Sequence, residues 1–181
     1  MAQAADPTQQ ALSYVRHQAS KGLPNLATLM ERTGADCARC LEGVSDEQAE
    51  FKYDSEWSVK EVLAHMLSSG AAVNRQISDL SEGRPVSWPF GQRPAESLEG
   101  QAAPRETRSV GELRKALAGL FDETRELVAS LPDDARLKQT FQHPMFGSLD
   151  LKEWIVFQRL HALDHVQQIE KAKAAPGYPA G

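Results

Sequence analysis

Long apolar runs are missing from this 181-residue chain. No stretch approaches the roughly 20 residues that a membrane-crossing helix needs, so no contact with a membrane is expected. Basic blocks are missing as well. Lys and Arg number 20 against 25 Asp and Glu, the formal net charge is −5, and no segment concentrates positive charge. A phosphate-binding face needs clustered positive charge, and no such block is seen, so nucleic acid is not an expected partner. The opening MAQAADPTQQ lacks both the basic and the apolar region of a secretion signal, and a cytoplasmic protein is expected. Cysteine is scarce: Cys37 and Cys40 form CARC inside a helical pattern. Two thiols are too few to close a structural zinc site, and a redox pair of this spacing would follow a strand. Buried free thiols in a reducing compartment are the expectation. Alternating strand patterns bounded by tight turns are nearly absent.

What the chain does have is helical punctuation. A hydrophobic fraction of 41% and a charged fraction of 25% suit one globular domain, so the helices should share one core. Asp6-Pro7 reads as the cap and first position of a short N-terminal helix that stops at Gly22. Pro24 opens a second helix whose seam is Leu26, Met30, Thr33, Cys37, Cys40 and Val44, ending near Gly43. Ser58 with Glu61, Ser109 with Glu112, and Asp150 with Glu153 have the spacing of capping boxes, and predict helices to about Ser81, Leu131 and Lys173. Residues 83–108 are rich in Gly, Pro, Ser and charge, with Trp88 and Phe90 in their middle. They read equally as a lid, a docking segment or a linker. The expected architecture is all-α: a four-helix bundle over 23–174, a long crossover, an N-terminal extension over 1–22 with a short extra helix, and a flexible tail over 175–181.

On the last helix, a 100° step gathers Lys152, Arg159 and Glu170 on one narrow side, expected to face water. Opposite them lie Trp154, Phe157, His161, His165 and Gln168. An i,i+4 pair of imidazoles can chelate a divalent ion, yet taken alone it describes two hydrogen-bonded core histidines more readily. His65 shares the flank of its helix with Ser69, Ala72 and Gln76, which suits a ligand lining a crevice and suits an ordinary boundary residue equally. Three neutral imidazoles from two helices would leave an open coordination position, where a bound water or thiol loses its proton near neutral pH. Asp164 and Gln168 could orient an imidazole N–H, although helix polarity explains them as well. Trp57 and His143 are candidates to line a pocket. His143 precedes a proline and either shapes its loop or points into the site, and His17 is expected on the surface.

The run Trp57-Ser58-Val59-Lys60-Glu61-Val62-Leu63-Ala64-His65 resembles the W-S-x-x-E-x-x-x-H segment of the DinB/YfiT-like superfamily. His143-Pro144-Met145-Phe146-Gly147-Ser148-Leu149, followed by Glu153-Trp154, is similar to that superfamily's approach to its last helix, with Asp150 where Thr or Ser is usual. His161-x-x-x-His165-x-x-Gln168-Ile169 is similar to its closing motif. The resemblance implies a four-helix bundle with a long crossover, commonly a homodimer. It also implies a divalent metal, nickel or zinc, on His65, His161 and His165. The function it implies is that of a metal-dependent enzyme, a thiol S-transferase or a hydrolase. Such an enzyme would activate a low-molecular-weight thiol, or water, against a small electrophilic substrate. The alternative is a non-catalytic bundle stapled by its metal, or a small-ligand-binding protein.

Overall fold

The computed structural model describes residues 6–85 and 106–180. Its helices are α1 (Pro7–Ala19), α2 (Leu23–Cys40), α3 (Asp46–Glu50), α4 (Val59–Ser81), α5 (Val110–Ser130) and α6 (Leu151–Lys173). A 3₁₀ turn, Ala135–Lys138, and a hairpin of β1 (Thr140–His143) and β2 (Gly147–Asp150) connect α5 to α6. The architecture is an all-α bundle, and no helix among the described residues is long and apolar enough to cross a membrane.

Local chemistry starts each long helix. Ser58, Ser109 and Asp150 each accept from the backbone N–H three residues on, while Glu61, Glu112 and Glu153 reach back to the cap's own N–H. Each box satisfies two of the four N–H groups that a helix start leaves orphaned. Asp6 caps α1 with Pro7 at the first position.

The helices are arranged by side-chain fit. α5 and α6 each pack against both α2 and α4, which makes a ring of four. Gly70 meets Leu120 and Asn74 meets Thr124, in the same order along both chains, so α4 and α5 run parallel. The end of α4 and the start of α5 therefore lie at opposite ends of the bundle. α6 runs against α4: Asn74 meets Gln158, and His65 meets His161. At the start of α5, Asp46 Oδ1 accepts from Val110 N at 2.8 Å and pairs with Lys60 Nζ at 2.9 Å, tying α3, α4 and α5 together.

The core has two apolar halves. One holds Leu26, Met30, Ile77, Val128, Leu149 and Trp154, to which α1 adds Val15 and Ala19; the other holds Cys37, Leu63, Met66, Leu113, Leu117 and Ile169. A polar belt lies between them. Asn74 Nδ2 donates to Thr124 Oγ1 at 2.9 Å, Gln158 Nε2 donates to Asn74 Oδ1 at 3.1 Å, and Arg159 Nη1 donates to Thr33 Oγ1 at 2.9 Å. Each of these donors and acceptors would cost free energy if buried alone, and these contacts pair them; Arg159 Nε is buried without a partner among the described residues.

The structure departs from the sequence reading at several points. Arg159 does not face water; it is held between α6 and α2, because α6 is enclosed by α1, α2 and α4. α2 stops at Cys40, and Val44, read as part of its seam, is buried beyond the helix end. The segment before α6, read as a loop, forms the hairpin, with His143 opposite Gly147 and a left-handed φ of 71° at Gly147 closing a three-residue turn. α3, with its Ser45/Gln48 box, was not anticipated. Residues 175–180, read as part of a flexible tail, make defined contacts: Gln48 Nε2 donates to the Pro179 carbonyl at 3.0 Å, and Tyr178 meets Phe51 edge-on at 5.5 Å. Trp88 and Phe90, with most of 83–108, lie outside the described residues.

The parallel α4–α5 pair depends on a missing side chain. A Cβ at Gly70 would lie 2.6 Å from Leu120 Cδ2. Gly70→Ala should therefore destabilise the fold by about 1–3 kcal/mol, despite alanine's better helix propensity. In urea denaturation, the double variant Gly70→Ala/Leu120→Ala should lose at least about 1 kcal/mol less than the sum of the two single losses. Simple additivity would mean that the two residues do not share that space.

Candidate metal centre

The capping box of α4 fixes where His65 falls. Glu61 is fully used by that box and by Lys52 Nζ, which donates to its Oε1 at 2.6 Å. His65, one turn further on, projects from α4 toward α6. On α6, His161 and His165 are one turn apart and share a face.

The three rings converge. Nε2 of His161 lies 3.1 Å from Nε2 of His65 and 3.1 Å from Nε2 of His165. All three ligand atoms lie within 4.8 Å of one another, and they form a group able to hold a metal ion. Two nitrogens bound about 2.1 Å from one ion sit about 3.0 Å apart at a right angle and about 3.4 Å apart at the tetrahedral angle. The 3.1 Å spacings fall in that window.

The protons lead to the same fit. The Gln168 amide oxygen accepts from His165 Nδ1 at 2.9 Å, which places the proton on Nδ1 and leaves the Nε2 lone pair facing the other rings. His161 Nε2 can carry one hydrogen and point it along one of its two short contacts; the other then sets like against like. A cation among the three lone pairs relieves both. The donor set suits zinc or another borderline divalent ion.

Burial keeps these rings neutral. Desolvation, aided by repulsion from His165, lowers the His65 pKa to about 4. Desolvation also holds His161 well below its ordinary value, with repulsion from His165, His65 and His143 adding to it. His165 is lowered by desolvation, against the opposing pull of Gln168 and Asp164. Neutral imidazole is the form that binds metal.

The other anticipated residues take different places. Trp57 is half-buried, its ring tilted 67° against His65 at 5.3 Å between centroids. Gln168 touches His165 directly, whereas Asp164 is exposed and acts on His165 only through its charge. Asp164, Gln168, Lys171 and Glu56 line a surface hollow of about 310 Å³ beside His165. His143 is not in the cluster. Its Nδ1 accepts from the N–H groups of Met145 and Phe146, both at 3.1 Å, and it both shapes its turn and is buried; desolvation lowers its pKa to about 4. His17 is exposed. Phe157, one turn before His161, was missed as a site residue although it shares the stripe; its ring lies 5.8 Å from that of His161.

Residues 29–169 match the family model described as the DinB superfamily. The chain is also similar to an uncharacterized protein, YuaE, of Bacillus subtilis (strain 168). They are 23% identical over 144 residues, which span 74% of this chain and 88% of YuaE.

His65, His143, His161 and His165 all have folded-state pKa values below the ordinary histidine value of 6.5. The stability they contribute is complete above that value and is lost as pH falls through each folded value, about 4 for His65 and His143, because the unfolded chain binds the protons that the folded chain refuses. In the presence of chelator, unfolding free energy from urea denaturation should be lower at about pH 5 than at about pH 7.5, by several kcal/mol. Equal values would mean that the rings are not held neutral by burial.

Proposed function

The chain belongs to the DinB superfamily, and from that premise we propose that it is a divalent-metal-dependent enzyme. His65, His161 and His165 hold the ion, nickel or zinc. The reaction is transfer of a low-molecular-weight thiol to a small electrophilic substrate, or hydrolysis of that substrate. The observation that carries this reading is the convergence of three Nε2 atoms from two helices. When bound, the ion lowers the pKa of a thiol or a water, so that a nucleophile forms at neutral pH.

The residues of the chain do the rest. Three neutral imidazoles contribute no negative charge, so they favour an anionic group, thiolate or hydroxide, as the remaining partner. Gln168 holds the His165 ring in the tautomer that binds. Trp57 packs edge-on against one side of His65. Glu61 is spent on its cap and on Lys52, which leaves no carboxylate on the first turn of α4 for proton transfer.

Purified protein should carry about one divalent ion per chain, read by elemental analysis, and His161→Ala should lower the affinity at least about 100-fold. Full occupancy in His161→Ala would remove the assignment. Turnover of a panel of electrophiles with and without added thiol separates transfer from hydrolysis. A melting point raised strongly by metal, with no turnover under either condition, would instead establish the non-catalytic, metal-stapled bundle.

A further inference from the structure

His161 is the pivot of the cluster, since both 3.1 Å contacts run to its Nε2. Among the described residues, only His165 of the three rings has a hydrogen bond to a group outside the cluster. His165 is held by Gln168, while among the described residues no hydrogen bond reaches Nδ1 of His161. Packing has to fix its ring plane. Within the cluster its ring meets those of His165 at 4.5 Å and His65 at 5.1 Å; the ring beside it from outside the cluster is Phe157, 5.8 Å away and inclined by 32°. Phe157 in turn meets His143 edge-on at 4.2 Å, its tightest ring contact; Trp154 and Phe146 stand further off, at 5.4 and 5.9 Å. His143 cannot swing, because two backbone N–H groups of the hairpin turn anchor its Nδ1 and Phe146 stacks on it at 4.7 Å.

We propose that His143 is a positioning residue for the metal site: anchored by the turn of the hairpin, it sets the ring of Phe157, which sets the ring of His161. This rests on the reading of the three histidines as one metal site. It assigns the hairpin a purpose beyond connecting α5 to α6, and it gives the buried His143 a role that needs no change of charge. Two features make the route specific. The anchor is a pair of directional hydrogen bonds, which fixes the ring's rotation as well as its position. The transmitting contact is between rings, whose flat shapes pass on tilt in a way that branched aliphatic side chains do not.

His143→Asn tests this, because the Asn Oδ1 takes the place of Nδ1 and can still accept from both N–H groups while the ring is lost. The probe is cobalt(II), whose visible absorption reports ligand geometry. His143→Asn should weaken cobalt binding about tenfold and alter the spectrum. Phe157→Leu, which removes the intermediary, should do the same, and the double variant should be no worse than either alone. Val15→Ala, which removes buried side-chain volume on α1 away from the hairpin, should lower the melting point and leave the spectrum unchanged. Wild-type affinity and spectrum in His143→Asn would overturn the proposal, as would an equally changed spectrum in Val15→Ala; if His143→Asn fails to fold, Phe157→Leu decides alone. Should the wild-type chain take up no cobalt, the metal reading fails separately. The imidazole resonances of His161 in the metal-free protein then decide: a shift in either variant upholds the positioning role, and unmoved resonances overturn it.

Discussion

The register between α4 and α6 is the constraint on which the candidate site depends. Three nitrogens within 4.8 Å of one another, two of their spacings 3.1 Å, tolerate little sliding, and a slip of one helical turn moves a side chain by about 5.4 Å. Apolar packing alone would not forbid such a slip, since Leu, Val and Ile fit one another's places at modest cost. The belt does forbid it. Gln158 must find Asn74, and Asn74 must find Thr124, or polar groups are left buried without partners. Asn74 and His65 belong to one helix, as do Gln158 and His161, so the hydrogen bonds that set the register also set the imidazoles opposite each other.

The cluster is otherwise an unfavourable thing to build. Each ring is taken out of water, and at least one short contact sets two lone pairs, or two hydrogens, against each other. Groups of this kind persist where the rest of the fold over-determines them. Here the capping box of α4, the enclosed position of α6 and the belt together supply that determination.

The fold was legible in the sequence wherever its cause was local. The Ser58, Ser109 and Asp150 boxes announce three of the four long helices, because a cap is read within four residues. α3 carries a box of the same kind at Ser45 and Gln48, but five residues leave no periodicity to support it. The hairpin was illegible because strands of four residues give too little alternation, and much of its support is Trp154, whose Nε1 donates to the Phe141 carbonyl at 3.1 Å from the next element. Arg159 was misplaced because a helical wheel assumes one watery side, while α6 has neighbours on three. At the site, the i,i+4 spacing of His161 and His165 is visible in the chain, and so is Gln168 three residues further on. Their meeting with His65, 96 positions away from His161, depends on the register and could be anticipated only through the family motifs.

The enclosure of the imidazoles has a consequence for traffic at the site. Ordinary surface histidines hold a fraction of a proton near neutrality, and any incoming ion must evict it. These rings have already surrendered theirs to the solvent, because burial holds all three below the usual histidine range. Across the neutral and alkaline range, then, a cation arriving here meets uncharged rings, and hydrogen ions become competitors only in acid.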